Sequence, residues 1–130
     1  MQLNELSGST LAYIGDAVWS LLVREHLVEL GYGRAKDLQR TSVRWVSAKA
    51  QARFYEYWHE NNMLSEQEEE IFRRGRNFKS GSVPKNTDVQ IYRISTGFEA
   101  LIGWLHLDGQ TERLNTLWQT VVELMSGDRK

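Results

Sequence analysis

The chain contains no cysteine. A disulfide framework and a thiolate-held metal are therefore excluded, which agrees with a reducing compartment without requiring one. Proline occurs once, at Pro84, so almost no position forbids a helix from continuing. No apolar run reaches the roughly 20 residues needed to span a bilayer. Residues 1–10 lack the basic-then-apolar order of a secretory signal, so the expectation is a soluble, cytoplasmic protein with no membrane contact. A cationic excess is missing too: 16 Lys and Arg face 17 Asp and Glu, a net charge of −1. A nucleic-acid partner thus gains no support from overall composition and has to be sought in local charge.

Several chemistries are also absent. There is no phosphate-binding loop of the Gly-x-x-x-x-Gly-Lys type, and no pair of histidines stands four apart around a glutamate as in zinc helices. His26, His59 and His106, the only histidines, read as rim or surface residues. Nothing supports a Ser-His-Asp arrangement.

What remains is helical patterning. The 130 residues suit one domain, 1–130, with one core. Ser7 or Ser9 caps a first helix that runs to about Leu30 and stops at Gly31. A short helix over residues 34–41 follows. Ser47 opens the next, which ends at Asn61-Asn62. Ser65 with Glu68 forms a capping box for a helix that starts acidic and ends basic, as the helix dipole favours. Residues 78–87 form a loop around Gly81 and Pro84. Thr87 or Asp88 caps a long apolar helix, and Asp108-Gly109 turns the chain into a last amphipathic helix over residues 111–125. No period-2 alternation and no internal repeat is present. The expected fold class is all-α, with about six to seven helices. The five Trp residues read as core or subunit interface.

Two stretches carry acids in apolar surroundings. In LAYIGDAVW (residues 11–19), Asp16 shares a helical face with Ala12, Tyr13, Trp19 and Ser20. The run reads as a buried helix, and a buried carboxylate is costly unless compensated. Taken by itself this stretch favours an Asp that caps a neighbouring helix or pairs with an Arg. The second stretch, STGFEALIGWL (residues 95–105), shifts the balance. Glu99 there shares a face with Ser95, Thr96, Ile102 and Gly103. Two facing carboxylates repel unless a cation or a proton lies between them, and hard oxygen ligands of this kind suit Mg²⁺.

Together the two stretches resemble the paired signatures of the ribonuclease III catalytic domain, and more closely those of Mini-ribonuclease III, the bacterial form without a double-stranded-RNA-binding domain. VSAKAQA (residues 46–52), RGRN (residues 74–77) and VPKNTDVQ (residues 83–90) extend the resemblance over most of the chain. It departs from the full-length pattern at Ala12 and Thr96, where that pattern has acidic residues; the Mini form is similar in both respects. The resemblance implies a Mg²⁺-dependent endoribonuclease, with Mn²⁺ able to substitute. Asp16 and Glu99 would be its catalytic metal ligands and double-stranded RNA its substrate. It further implies a homodimer, products with a 5′-phosphate, a 3′-hydroxyl and a short 3′ overhang, and maturation of a large-subunit ribosomal RNA precursor. The alternative is a non-catalytic helical RNA-binding or ribosome-assembly module.

Local charge supports RNA in one place. Residues 73–85 hold Arg73, Arg74, Arg76, Lys79 and Lys85 with no acid. With Asn77 and Asn86 they form a candidate RNA-backbone surface. A weaker basic set is Arg34, Lys36, Arg40, Arg44, Lys49 and Arg53. The first helix, through Tyr13, Val18 and Trp19, is the expected dimer contact.

Overall fold

The computed structural model describes residues 2–78, 83, 85 and 88–128. It is all-helical: a 3-10 turn at Leu3–Glu5 is followed by α1 (Gly8–Glu29), α2 (Ala35–Val46), α3 (Ala48–Glu60), α4 (Glu66–Arg76), α5 (Val89–Leu107) and α6 (Thr111–Gly127). No strand occurs among the described residues. Most of the expected loop at residues 78–87, including Lys79 and Asn86, lies outside them.

Helix ends follow the sequence signals. The Ser7 hydroxyl accepts from the Thr10 amide at 3.1 Å, Ser47 does the same for Ala50 at 3.1 Å, and Asp88 for Ile91 at 3.1 Å. The Ser65–Glu68 capping box is complete. Its glutamate also joins two parts of the fold. Glu68 is buried, and its two oxygens accept from the Arg113 guanidinium on α6 at 2.8 Å each. Burial pushes the Glu68 carboxyl up, but Arg113 and the Ser65 amide outweigh it and hold it below the ordinary range.

The core is built around α5, which packs against α1, α3 and α4. Its Phe98 meets the Trp19 indole edge-on at 4.8 Å and stacks on Trp58 at 5.3 Å. All five tryptophans are buried, and two find polar partners. Trp19 Nε1 donates to the Trp45 carbonyl at 2.9 Å, and Trp58 Nε1 donates to the Thr120 hydroxyl at 2.7 Å.

This corrects three expectations. Trp19 is core, not interface, because its indole fills the space between α1, α2 and α6; Val18 too packs against the core. The second helix is longer than expected, because burial of Trp45 under α1 carries it on to the Ser47 cap. Finally, α1 is not buried all round. It exposes Tyr13 (79%), Leu21 (58%) and Val28 (59%) on one side.

Two glycines bring the backbones of α1 and α5 into direct contact. A Cβ on Gly15 would lie 1.7 Å from the Glu99 carbonyl oxygen, and one on Gly103 would lie 2.0 Å from the Leu11 carbonyl oxygen. Only glycine at both positions lets the two backbones touch. We expect Gly15→Ala and Gly103→Ala each to lower unfolding free energy by about 3 kcal/mol or more, since the clash is with backbone that cannot repack locally. Gly127→Ala, where an added Cβ meets nothing, is the control and should be near neutral. Urea denaturation of the three variants tests this.

Candidate active site

The glycine crossing brings the two acids together. Gly15 immediately precedes Asp16, and the backbone it touches is that of Glu99 itself. The carboxyl groups come within hydrogen-bond reach of each other and line one cleft of about 300 Å³. Ala12 and Tyr13 of α1, Gly75 and Phe78 at the end of α4, and Tyr92, Arg93 and Thr96 of α5 complete most of its wall.

The two acids differ in setting. Glu99 is half-buried, whereas Asp16 is exposed, contrary to the buried helix expected for its stretch. The reason is that α1 turns Leu11, Gly15 and Trp19 inward, which leaves Asp16 at the open edge. Burial, and then the neighbouring Asp16 carboxyl, push Glu99 up to about 8; the Gln51 side chain opposes this. Neither acid forms an ion pair among the described residues. Among the described residues Asp16 thus lacks the Arg partner that the simpler reading of its stretch requires.

Ala12 and Thr96, the two positions where acids were missing from the sequence pattern, both face this cleft. Ala12 is buried, and the Thr96 hydroxyl donates to the Tyr92 carbonyl at 3.0 Å. No group of three or more potential metal ligands occurs among the described residues. A cation in the cleft would therefore meet two protein carboxylates and complete its shell with water or a substrate oxygen, a pattern that suits Mg²⁺. Two acids on converging helices with no ion-pair partner among the described residues, one of them pushed up to about 8 by burial and by its neighbour, fit such an ion.

The fold places the basic residues unequally. Arg73, Asn77 and Lys85 are exposed. Arg76 reaches Asn77 Oδ1 at 3.1 Å and lies over the Phe72 ring at 5.7 Å. Arg74 donates to the Leu6 carbonyl, tying α4 to the start of the chain. Lys79 and Asn86 lie outside the described residues. Gly75 fits against Gly97 and Ala100 of α5, so the basic end of α4 sits at the cleft wall.

Sequence reasoning missed Tyr92, Arg93 and Gln51. Tyr92 and Thr96 precede Glu99 by seven and three residues, a helical-face spacing that was legible. Arg93 is exposed and has no hydrogen bond or ion pair among the described residues. Gln51 is only 2% exposed and donates through Nε2 to Glu99 Oε2 at 3.4 Å. Its signal was its place on the α3 face that also buries Phe54, Tyr55 and Trp58.

A cleft with two carboxylates from different helices, in an all-α fold, narrows the family. The ribonuclease III domain model matches residues 9–110. The chain belongs to the ribonuclease III family. It is 47% identical over 113 residues to Mini-ribonuclease 3 of Enterococcus faecalis, covering 87% of this chain and 86% of that protein. It is 42% identical over 127 residues to Mini-ribonuclease 3 of Streptococcus pneumoniae, covering 98% and 99%. A crystal structure of a Fusobacterium nucleatum protein superposes with a TM-score of 0.82 at 29% identity, over 92% of this chain and 95% of that one.

The raised Glu99 makes stability depend on pH. Between its ordinary value of 4.5 and its folded value of about 8, the folded protein binds more protons than the unfolded chain. Stability therefore falls as pH rises through that window and levels off above it. In EDTA we expect the melting temperature of the native protein to drop from about pH 5 to about pH 8. In Glu99→Gln the drop should be much smaller. Equal slopes for the two proteins would show that Glu99 does not titrate in this range.

Proposed function

We propose that this chain is a divalent-metal-dependent endoribonuclease that cleaves double-stranded RNA, with Asp16 and Glu99 holding the metal. The observation that carries this reading is the uncompensated Asp16–Glu99 carboxylate pair in a cleft of a ribonuclease III fold. A bound Mg²⁺ or Mn²⁺ supplies charge at the scissile phosphate and lowers the pKa of an attacking water.

The chain's own residues do the rest. Glu99, anchored on the most buried helix, gives a fixed carboxyl group that would give up its proton to the cation. Asp16, at the open edge, faces it from α1. The cleft by itself would repel an RNA phosphate, and Arg93 on its rim provides an opposing positive charge. Arg73, Arg76 and Lys85 extend the cationic surface from the end of α4 and hold backbone phosphates whatever the base sequence.

Two further parts of the proposal concern assembly and substrate. The solvent-facing stripe of α1, Tyr13, Leu21 and Val28, starts at the cleft with Tyr13 and suits a symmetric contact with a second copy, which would present two clefts to the two strands of a duplex. A precursor of large-subunit ribosomal RNA is the substrate the family relationship favours, in the cytoplasm. No described helix is long and apolar enough to cross a membrane.

We expect Asp16→Asn and Glu99→Gln to slow single-turnover cleavage of duplex RNA by about a thousandfold or more, equivalent to about 4 kcal/mol of transition-state stabilisation. The melting temperature in EDTA should hold or rise. A destabilised but active Asp16→Asn protein would refute the assignment.

For the basic surface, Arg73→Ala and Lys85→Ala should each lower the slope of log affinity against log salt by about one. Arg74→Ala should instead lower the melting temperature, through loss of its bond to Leu6. An unchanged slope would leave the α4 end as a solvated helix terminus. Leu21→Lys with Val28→Lys should yield monomer in sedimentation. A native protein that is already monomeric at micromolar concentration would rule the dimer out.

A further inference from the structure

Gln51 has no explanation in packing. It sits on the buried face of α3, one turn before Phe54 and Tyr55 and two before Trp58, and is 2% exposed. A buried amide is costly unless hydrogen-bonded, and an apolar side chain of similar length would fill the same space without that cost. Its hydrogen bond reaches across to another helix, from Nε2 to Glu99 Oε2 at 3.4 Å. The other neighbour of the Glu99 carboxyl is Asp16. Glu99 therefore has a neutral donor on its interior side and a like charge on its cleft side.

We infer that Gln51 is a positioning residue, whose amide holds the Glu99 carboxylate in the rotamer that faces Asp16 and so pre-forms the cation site. The residue type suits this role. A lysine or arginine at this place would neutralise Glu99 and compete with the cation. A serine on α3 is too short to span the gap. A leucine or methionine would leave the interior oxygen of Glu99 without a partner and the carboxylate free to turn. The amide alone fixes the oxygen and leaves the negative charge available to the cleft. Hydrogen-bond partners behind a metal-binding side chain commonly contribute about 10–100-fold in metal affinity. The site is thus asymmetric: Glu99 is held from behind, and Asp16, on the open edge of α1, adjusts to the ion.

This inference rests on the proposed role of Asp16 and Glu99 as metal ligands, and the experiment separates the two. Free Mn²⁺ is counted by electron paramagnetic resonance during titration of the full chain without RNA. The native protein, Glu99→Gln and Gln51→Met are compared, each normalised to its folded fraction. Gln51→Met keeps volume and removes the donor.

The expected result is that Glu99→Gln loses the site. Gln51→Met should bind Mn²⁺ about 10–100-fold more weakly, show a lower kcat at unchanged KM for duplex RNA, and regain part of its rate at high Mn²⁺. If the native protein and Glu99→Gln bind Mn²⁺ alike, the ligand assignment itself fails and the inference falls with it. If Glu99→Gln loses binding while Gln51→Met binds as tightly as the native protein, the ligands stand and the role of Gln51 is overturned. A drop in melting temperature with unchanged Mn²⁺ affinity is the signature of a purely structural glutamine and also overturns it.

A second measurement needs no substitution at Gln51. In the native protein its side-chain amide resonances should move on Mg²⁺ addition with the same midpoint as the Glu99 carboxyl carbon, and Glu99→Gln should abolish the movement. Resonances that ignore Mg²⁺ while the Glu99 carbon responds would refute the coupling.

Discussion

Backbone contact between α1 and α5 is the constraint on which the rest depends. At most helix crossings, side chains keep the axes about 8–10 Å apart. Here Gly15 and Gly103 remove those side chains, and each helix's backbone seats against the other's carbonyl oxygens. The contact falls at the residues next to the two acids. Closeness of the helices and closeness of the carboxylates are therefore one geometric fact. A larger residue at either glycine would both separate the helices and move Asp16 away from Glu99.

The electrostatic consequences follow from that placement. Glu99 pointing into the cleft from the core helix loses solvent, and the approach of Asp16 adds like-charge repulsion. Elsewhere the fold neutralises buried charge fully, as Glu68 shows with its fork to Arg113. The contrast is informative because both glutamates lie in the same small protein. One receives a guanidinium and the Ser65 amide, and the other, among the described residues, receives an amide from behind and a carboxylate in front. Strongly perturbed acids that lack a compensating cation are more typical of functional sites than of structural ones.

Much of this was legible beforehand. The caps at Ser7, Ser47, Ser65 and Asp88 are local hydrogen bonds between residues three apart, so they can be read without knowing the fold. The apolar spacing of α5 and α6 likewise reports burial directly. The two acids stood out because a charged residue in an apolar helix conflicts with its surroundings. Burial of α1 was misjudged for a related reason. Tyr13, Leu21 and Val28 are apolar, and a sequence does not reveal whether an apolar stripe meets the chain's own core or remains open. Trp19 was assigned to the interface for the same reason. Val18, Leu21, Leu22 and Val23 surround it with apolar residues on every side of the helix, which leaves inward and outward faces indistinguishable.

The sequence by itself determined the helical class, most of the helix caps, the family and the presence of one acid in each of two apolar stretches, because each depends on residues within a few turns of one another or on motifs matched in order; the end of α2 was not among them. Tertiary structure alone decided which partners those residues have. That Gly15 meets the backbone of Glu99, that Arg74 is engaged by Leu6 while Arg73 stays free to reach solvent, and that Gln51 stands behind Glu99 from 48 residues away all depend on how helices distant in sequence pack. Such packing is set by shape over the whole core, and no local pattern encodes it.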